Sequence, residues 1–154
     1  ANNSTVMEFA FDDSAPWPTA PDGAGPSLVL IQPETHPNPN VAINWRSSAF
    51  SDGNPGKSDA IPFSGEDPIA YALIDAPRII STEDGTLLYS YTRRAGADSV
   101  KLTVEWSENL LSWKAIEGAE AFTIADFEAG TVLELVEFPP GIHGFARLRA
   151  TVTP

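Results

Sequence analysis

Hydrophobic and polar positions alternate with a period of two along much of the C-terminal half. Leu87, Tyr89 and Tyr91 alternate with Leu88, Ser90 and Thr92. Val100, Leu102, Val104 and Trp106 alternate with Lys101, Thr103 and Glu105, and Phe145, Arg147 and Arg149 with Ala146, Leu148 and Ala150. This period puts successive side chains on opposite faces of a strand. The pattern predicts seven strands: Arg78–Ser81, Thr86–Thr92, Ser99–Trp106, Trp113–Ile116, Ala121–Ala125, Thr131–Glu137 and Gly144–Thr153. Turn signals separate them at Glu83-Asp84-Gly85, Ala95-Gly96-Ala97-Asp98, Glu117-Gly118, Ala129-Gly130 and Pro139-Pro140-Gly141. Short strands at this spacing, with no βαβ pattern, predict an all-β antiparallel sandwich.

The N-terminal half is more broken. Val6–Phe11 reads as a strand closed by Asp12-Asp13-Ser14. Residues 15–26 hold four prolines and two glycines, which excludes helix. Ser27–Ile31 reads as a second strand, followed by a loop rich in proline and asparagine. From Ser47 onward Ser, Asp, Gly, Asn and Pro dominate, with Phe50 and Phe63 as isolated anchors. Asp67–Asp75 has room for one or two helical turns but carries no apolar stripe. The expected organisation is a partial β segment over 1–46, a linker with a short helix over 47–75, and a seven-stranded sandwich over 76–154.

Composition narrows the function classes. The 154 residues carry a net charge of −12. Residues 1–66 have eight acids against two bases and residues 67–154 thirteen against seven, so each half stands at −6. A field of that sign repels phosphate backbones and anionic lipid, making nucleic acid and membrane poor partners. The absence of cysteine excludes disulfides and thiol catalysis. No apolar run reaches the roughly 20 residues of a membrane span. The opening Ala1-Asn2-Asn3-Ser4-Thr5 does not read as a signal peptide, so the expectation is a mature product or a fragment.

Two stretches resemble known families. Trp17-Pro18, Asp22-Gly23-Ala24-Gly25, Ser27-Leu28-Val29-Leu30-Ile31 and Asn44-Trp45-Arg46 occur in the order found in the second half of a bacterial lamin-tail domain, and Gly53-Asn54-Pro55-Gly56 fits the stretch that follows one. The second resemblance rests on Asp67–Leu73, Tyr89–Arg94, Val104–Trp113 and Phe145–Arg149. It is similar to a C-terminal module of large exported proteins of verrucomicrobial and planctomycete type. The resemblances imply an immunoglobulin- or fibronectin-like sandwich preceded by a partial lamin-tail-like segment, an extracellular or cell-surface setting, and no catalytic residues. They also imply early strands ahead of Val6, where five residues stand. Strands from another chain or copy, packing of the two strands on the second module, or an extended strap would each account for this.

Candidate chemistry is sparse. His36 and His143 lie in loops away from any nucleophile-elbow pattern. The acidic pairs Asp12-Asp13, Glu83-Asp84 and Asp126/Glu128 fall at expected turns or strand ends, where a solvated surface is the ordinary reading. No cofactor is expected. Calcium is the one cation the loop acids would suit, through Asp12, Asp13 and Asp22, or through Asp52, Asn54 and Asp59, although neither set matches an EF-hand loop. Trp17, Trp45, Arg46, Arg93 and Arg94 are the candidate ligand or partner contacts. One of Trp106 and Trp113 is expected in the core. Arg93-Arg94, Arg147 and Arg149 form the main basic spots, either paired across strands or meeting an acidic copy of the same module. Asn2 and Asn3 begin N-x-[ST] matches.

The expectation is a non-catalytic structural or interaction module of a secreted or cell-surface bacterial protein. It would dock or assemble by sharing strands with another chain or copy. The alternative is a carbohydrate-binding accessory module of a secreted polysaccharide-degrading enzyme.

Overall fold

A computed structural model describes residues 8–116, 122–125 (backbone only) and 130–153. The chain is all-β and antiparallel. Its elements run β1 (Pro26–Leu30), β2 (Trp45–Ser51), α1 (Pro68–Ala72), β3 (Arg78–Ser81), β4 (Leu87–Arg94), β5 (Val100–Ser107), β6 (Lys114–Ala115), β7 (Phe122–Ala125), β8 (Thr131–Glu137) and β9 (Phe145–Val152). The seven strands expected over 76–154 are those observed as β3 to β9, with ends shifted by one or two residues.

These seven strands form two sheets. One has the order β3-β4-β8-β7 and the other β6-β5-β9. Their apolar faces meet in one cluster of Tyr89, Tyr91, Val104, Val136 and Phe138, with Leu102, Ala146 and Leu148 packed against it. The alternation read from the sequence decides which side chains enter. Tyr91 is 3% exposed, and its hydroxyl donates to Glu134, which satisfies the one polar group it buries. Burial, and then the Glu134 carboxylate, push the Tyr91 phenol far above its ordinary range, so it stays protonated as the donor.

The tryptophan expectation is corrected. Neither Trp106 nor Trp113 belongs to the buried clusters; both are half-buried, and tyrosines fill the core instead. Trp106 has Lys114 Nζ 5.4 Å from its ring centroid, and Trp113 has Arg147 at 4.1 Å. Each lies beside a long cation rather than beneath a sheet.

Two further corrections concern the first half. Glu8–Phe11 form no strand, and Val6 and Met7 lie outside the described residues. Residues 47–51, expected as the start of a linker, are strand: β2 pairs antiparallel with β1, matching Leu30 with Trp45 and Pro26 with Ser51. Ser47 and Ser48 are buried, as the two strands pack on the second module. Ser48 Oγ accepts from Ser27 N–H at 2.9 Å and donates to Phe50 O at 2.5 Å.

An ion triad fastens this hairpin. Arg46 Nε donates to Asp98 Oδ1 at 2.8 Å and Nη2 to Asp98 Oδ2 at 2.7 Å, the bidentate geometry of a guanidinium fork. Its Nη1 bonds Asp59, which also accepts from Ala49 N–H at 2.9 Å. Arg46 is 5% exposed. Beside the triad, Ile61 N–H donates to Gly96 O at 2.8 Å. Gly96 has φ +84, and a Cβ there would stand 2.8 Å from Asp59 O, so only glycine admits this approach. Ala95 and Ala97, in the same β4–β5 turn, are buried beneath it. Gln32 Nε2 adds bonds to Asp98 O and Thr153 Oγ1, both 3.0 Å.

The helix follows from its cap. Asp67 accepts from Ile69 N–H at 2.7 Å, and Pro68 fills the first helical position. Tyr71 and Ala72 pack with Ala97 and Val100, and Ala150 lies against them.

Truncating Arg46 strands two buried carboxylates, so Arg46→Ala should destabilise the chain by about 3–5 kcal/mol. Urea unfolding measures this; a loss under about 1 kcal/mol would show that water reaches the triad.

Candidate docking edge

The outer face of the β6-β5-β9 sheet is built from positions that alternate with the core. Glu105 stands opposite Arg147 on β9 and Ala115 on β6. Arg147 donates to Glu105 Oε2 from Nε at 2.8 Å and lies 2.7 Å away through Nη2. Arg149 Nη1 donates to Oε1 at 3.3 Å. The Arg147 guanidinium also lies over Trp113, a cation–π contact. Glu105 is thereby 7% exposed at its side chain, whereas Arg147 and Arg149 remain 46% and 61% exposed. Burial opposes the Glu105 charge, but the Arg147 and then the Arg149 hydrogen bonds outweigh it and hold the carboxyl below its usual range. One carboxylate between two arginines leaves a surplus positive charge. Exposed Lys101, on the same face, adds another.

The backbone of β9 is bonded on one side only. Thr153 N–H donates to Ser99 O at 2.8 Å, so residues 99 and 153 form a hydrogen-bonded pair. Alternation along the β5–β9 register then turns the N–H and C=O groups of Ala146, Leu148, Ala150 and Val152 away from β5. Among the described residues no hydrogen bond reaches them, and β9 ends the sheet. The strand has eight residues, no proline, and no register shift against β5. β7 and β1 each carry a shift, and β3 and β6 are shorter.

A bare place adjoins this edge. Four strands face three, and the uncovered strand is β3. Ile79 pairs with buried Tyr89 and so shares its inward face, yet is 56% exposed. Leu87, on the same face, is 41% exposed. The chain leaving α1 runs along the β3 side of β4, with Ile74 N–H bonded to Thr92 O at 2.9 Å. Because α1 also touches Ala150, β3 and the open edge of β9 lie on one side of the two sheets.

Comparison with known proteins returns nothing: no family model, no curated protein and no solved structure matches this chain.

The residues singled out from sequence fare unevenly. Trp17 and Trp45 come together, with centroids 6.3 Å apart. Phe9 stacks on Trp45 at 4.7 Å, and Trp45 Nε1 donates to Pro39 O at 2.8 Å. Arg46, expected at a partner contact, is buried in its ion triad. Arg93 and Arg94 are likewise bonded within the chain: Arg93 to Glu134 at 3.2 Å and Arg94 Nε to Tyr71 O at 3.1 Å. The structure does not gather Asp12, Asp13 and Asp22 around a common point; among the described residues no group of three or more acids or histidines could hold a metal ion. Asp12 instead accepts from Ser14 N–H at 3.0 Å, and its carboxyl is held below its usual range by Ser14. Asp59 is separated from Asp52 and Asn54 by turning inward to Arg46. Asp84, part of the Glu83-Asp84 pair, accepts from Thr86 N–H at 3.1 Å beside a shallow concavity of 420 Å³. His36 and His143 are exposed. Asp126, Glu128, Asn2 and Asn3 lie outside the described residues. Among the described residues no helix is long and apolar enough to cross a membrane.

The open edge itself was missed in the sequence reading. Its signal is the last alternating run, eight residues without proline or glycine and with arginines on its polar face.

Glu105 has a folded pKa below its unfolded value. Its ion pairs therefore stabilise the chain above the ordinary carboxylate pKa of about 4.3, and that contribution disappears as pH falls through the folded value. Thermal unfolding across the acid range should find Glu105→Gln less stable at neutral pH and less sensitive to acidification. Parallel curves for the two proteins would contradict this.

Proposed function

We propose that this chain is a non-catalytic docking module of a secreted or cell-surface bacterial protein, and that it associates by accepting a strand at the edge of β9. The carrying observation is the unbonded edge beside uncovered Ile79. A long edge without proline or bulge is a template for another strand. The strand order supports the reading. In chain order β3-β4-β8-β7 corresponds to the A-B-E-D sheet of an immunoglobulin-type sandwich and β5-β9 to its C-F pair. On that correspondence the place beside β9, which none of the described residues fills, is that of strand G. The lamin-tail-like motifs and the acidic charge fit the same extracellular setting, with a protein partner or self-association and no nucleic acid.

The sugar-binding alternative is less well supported. Trp45, its better platform, already has Phe9 stacked on its ring. Trp17 alone offers little area for a pyranose.

Ala146→Pro removes an outward N–H while leaving the β5 ladder intact, because proline is tolerated at an edge position that makes no ladder bond. The wild-type chain should associate as its concentration rises, with slowed amide exchange at Ala146, Leu148 and Ala150. The variant should stay monomeric. A monomer at every concentration, with β9 amides exchanging freely, would sink self-association at this edge.

A further inference from the structure

We infer that the strand accepted at β9 is the segment Glu8–Asp12 of a second copy of this chain. This rests on the docking reading above and adds the identity of the occupant.

The site sets two chemical requirements. Side chains entering over β3 must be apolar, to cover Ile79 and extend the layer of Ala146 and Leu148. Side chains on the outer face must be acidic, because among the described residues Arg147, Arg149 and Lys101 share only Glu105 there. Opposite charges facing each other across strands stabilise the pairing, and like charges oppose it.

The second requirement disfavours the two self-contacts of greatest overlap. Two β9 edges could pair antiparallel only through their outward-bonding residues, 146, 148, 150 and 152. A two-fold register centred on Leu148 sets Arg147 against Arg149. The next allowed register sets Arg149 against its own copy. Both place cation against cation, so the arginines act as a guard against edge-to-edge pairing.

Glu8–Asp12 meets both requirements. In a strand, Phe9 and Phe11 would share one face while Glu8, Ala10 and Asp12 shared the other. The segment therefore has strand-type alternation, yet in its own chain it joins no strand. Phe9 stacks on Trp45, and Ala10 N–H reaches Asn40 Oδ1 only at 3.4 Å. Phe11 is 68% exposed, and Glu8 and Asp12 are exposed as well. An amphipathic acidic segment held chiefly by Phe9 on Trp45, and an open basic edge, thus occur in one molecule, and pairing them exchanges that one stack for a strand ladder. Pairing them between copies is head-to-tail, which extends into rings or chains rather than closing as a two-fold dimer.

Complementary blocking of the full chain tests this by size-exclusion chromatography with light scattering. Glu8→Lys with Asp12→Lys blocks the donor, and Ala146→Pro blocks the acceptor. The wild type should grow past the dimer with concentration. Each blocked chain alone should associate at least about tenfold more weakly, with unchanged urea unfolding. An equimolar mixture should form a one-to-one dimer and stop there, since only one donor and one acceptor remain. Phe11→Ser is a second donor block that leaves the Asp12 turn intact, and it should act the same way. Assembly lost in Ala146→Pro but retained in both donor variants would overturn the second-copy segment and leave the docking reading standing. A wild-type monomer whose β9 amides are protected would also overturn it, because the strand would then come from the same molecule. A wild-type monomer with unprotected amides would remove both the segment and self-association at this edge.

Discussion

The structure depends first on a buried guanidinium shared between two carboxylates. Arg46 comes from β2, Asp59 from the segment that follows, and Asp98 from the β4–β5 turn. Each ion carries a desolvation cost that only its partners offset, so the three must stay together. This constraint fastens the N-terminal hairpin across one end of the two sheets. It explains why Ala95, Gly96 and Ala97, which would otherwise form an ordinary exposed turn, are buried. The arrangement is not fully satisfied, since Asp59 Oδ1 is buried without a hydrogen-bond partner among the described residues. Such a triad specifies position more than it adds stability.

The legible parts of the sequence were those where local pattern and tertiary environment agree. In β4, β5 and β9 one face is buried and the other wet, so a period of two is written directly into residue type. Glycine and proline marked the turns for equally local reasons. β2 was illegible because Trp-Arg-Ser-Ser-Ala-Phe-Ser has no apolar alternation; its buried positions are Arg46, Ser47 and Ser48, and Arg46 and Ser48 bond to residues distant in sequence. Val6–Phe11 shows the reverse failure. Its described part has the alternation of a strand but no strand beside it, and alternation without a ladder is only potential.

The candidate site was harder still, because what matters there is an absence of bonding. A residue list shows Arg147 and Arg149, but not that the strand carrying them ends its sheet. Nor does it show that Arg46, grouped with the exposed cations by residue type alone, is enclosed. Arg93 and Arg94 illustrate the same limit, since their bonds to Glu134 and Tyr71 join elements distant in sequence. Glu105 is the clearest case. It is a charged residue in the exposed phase of a strand, yet it is covered because two arginines lean across it, one of them held against Trp113.

The bonds of Gln32 have an architectural meaning. They tie Thr153 to a residue two positions beyond β1, close to where Trp45 stacks with Phe9. Gln32 therefore ties the end of β9 to the hairpin against which Phe9 packs. A pull on the end of β9 would thereby load the hairpin as well as the sheet.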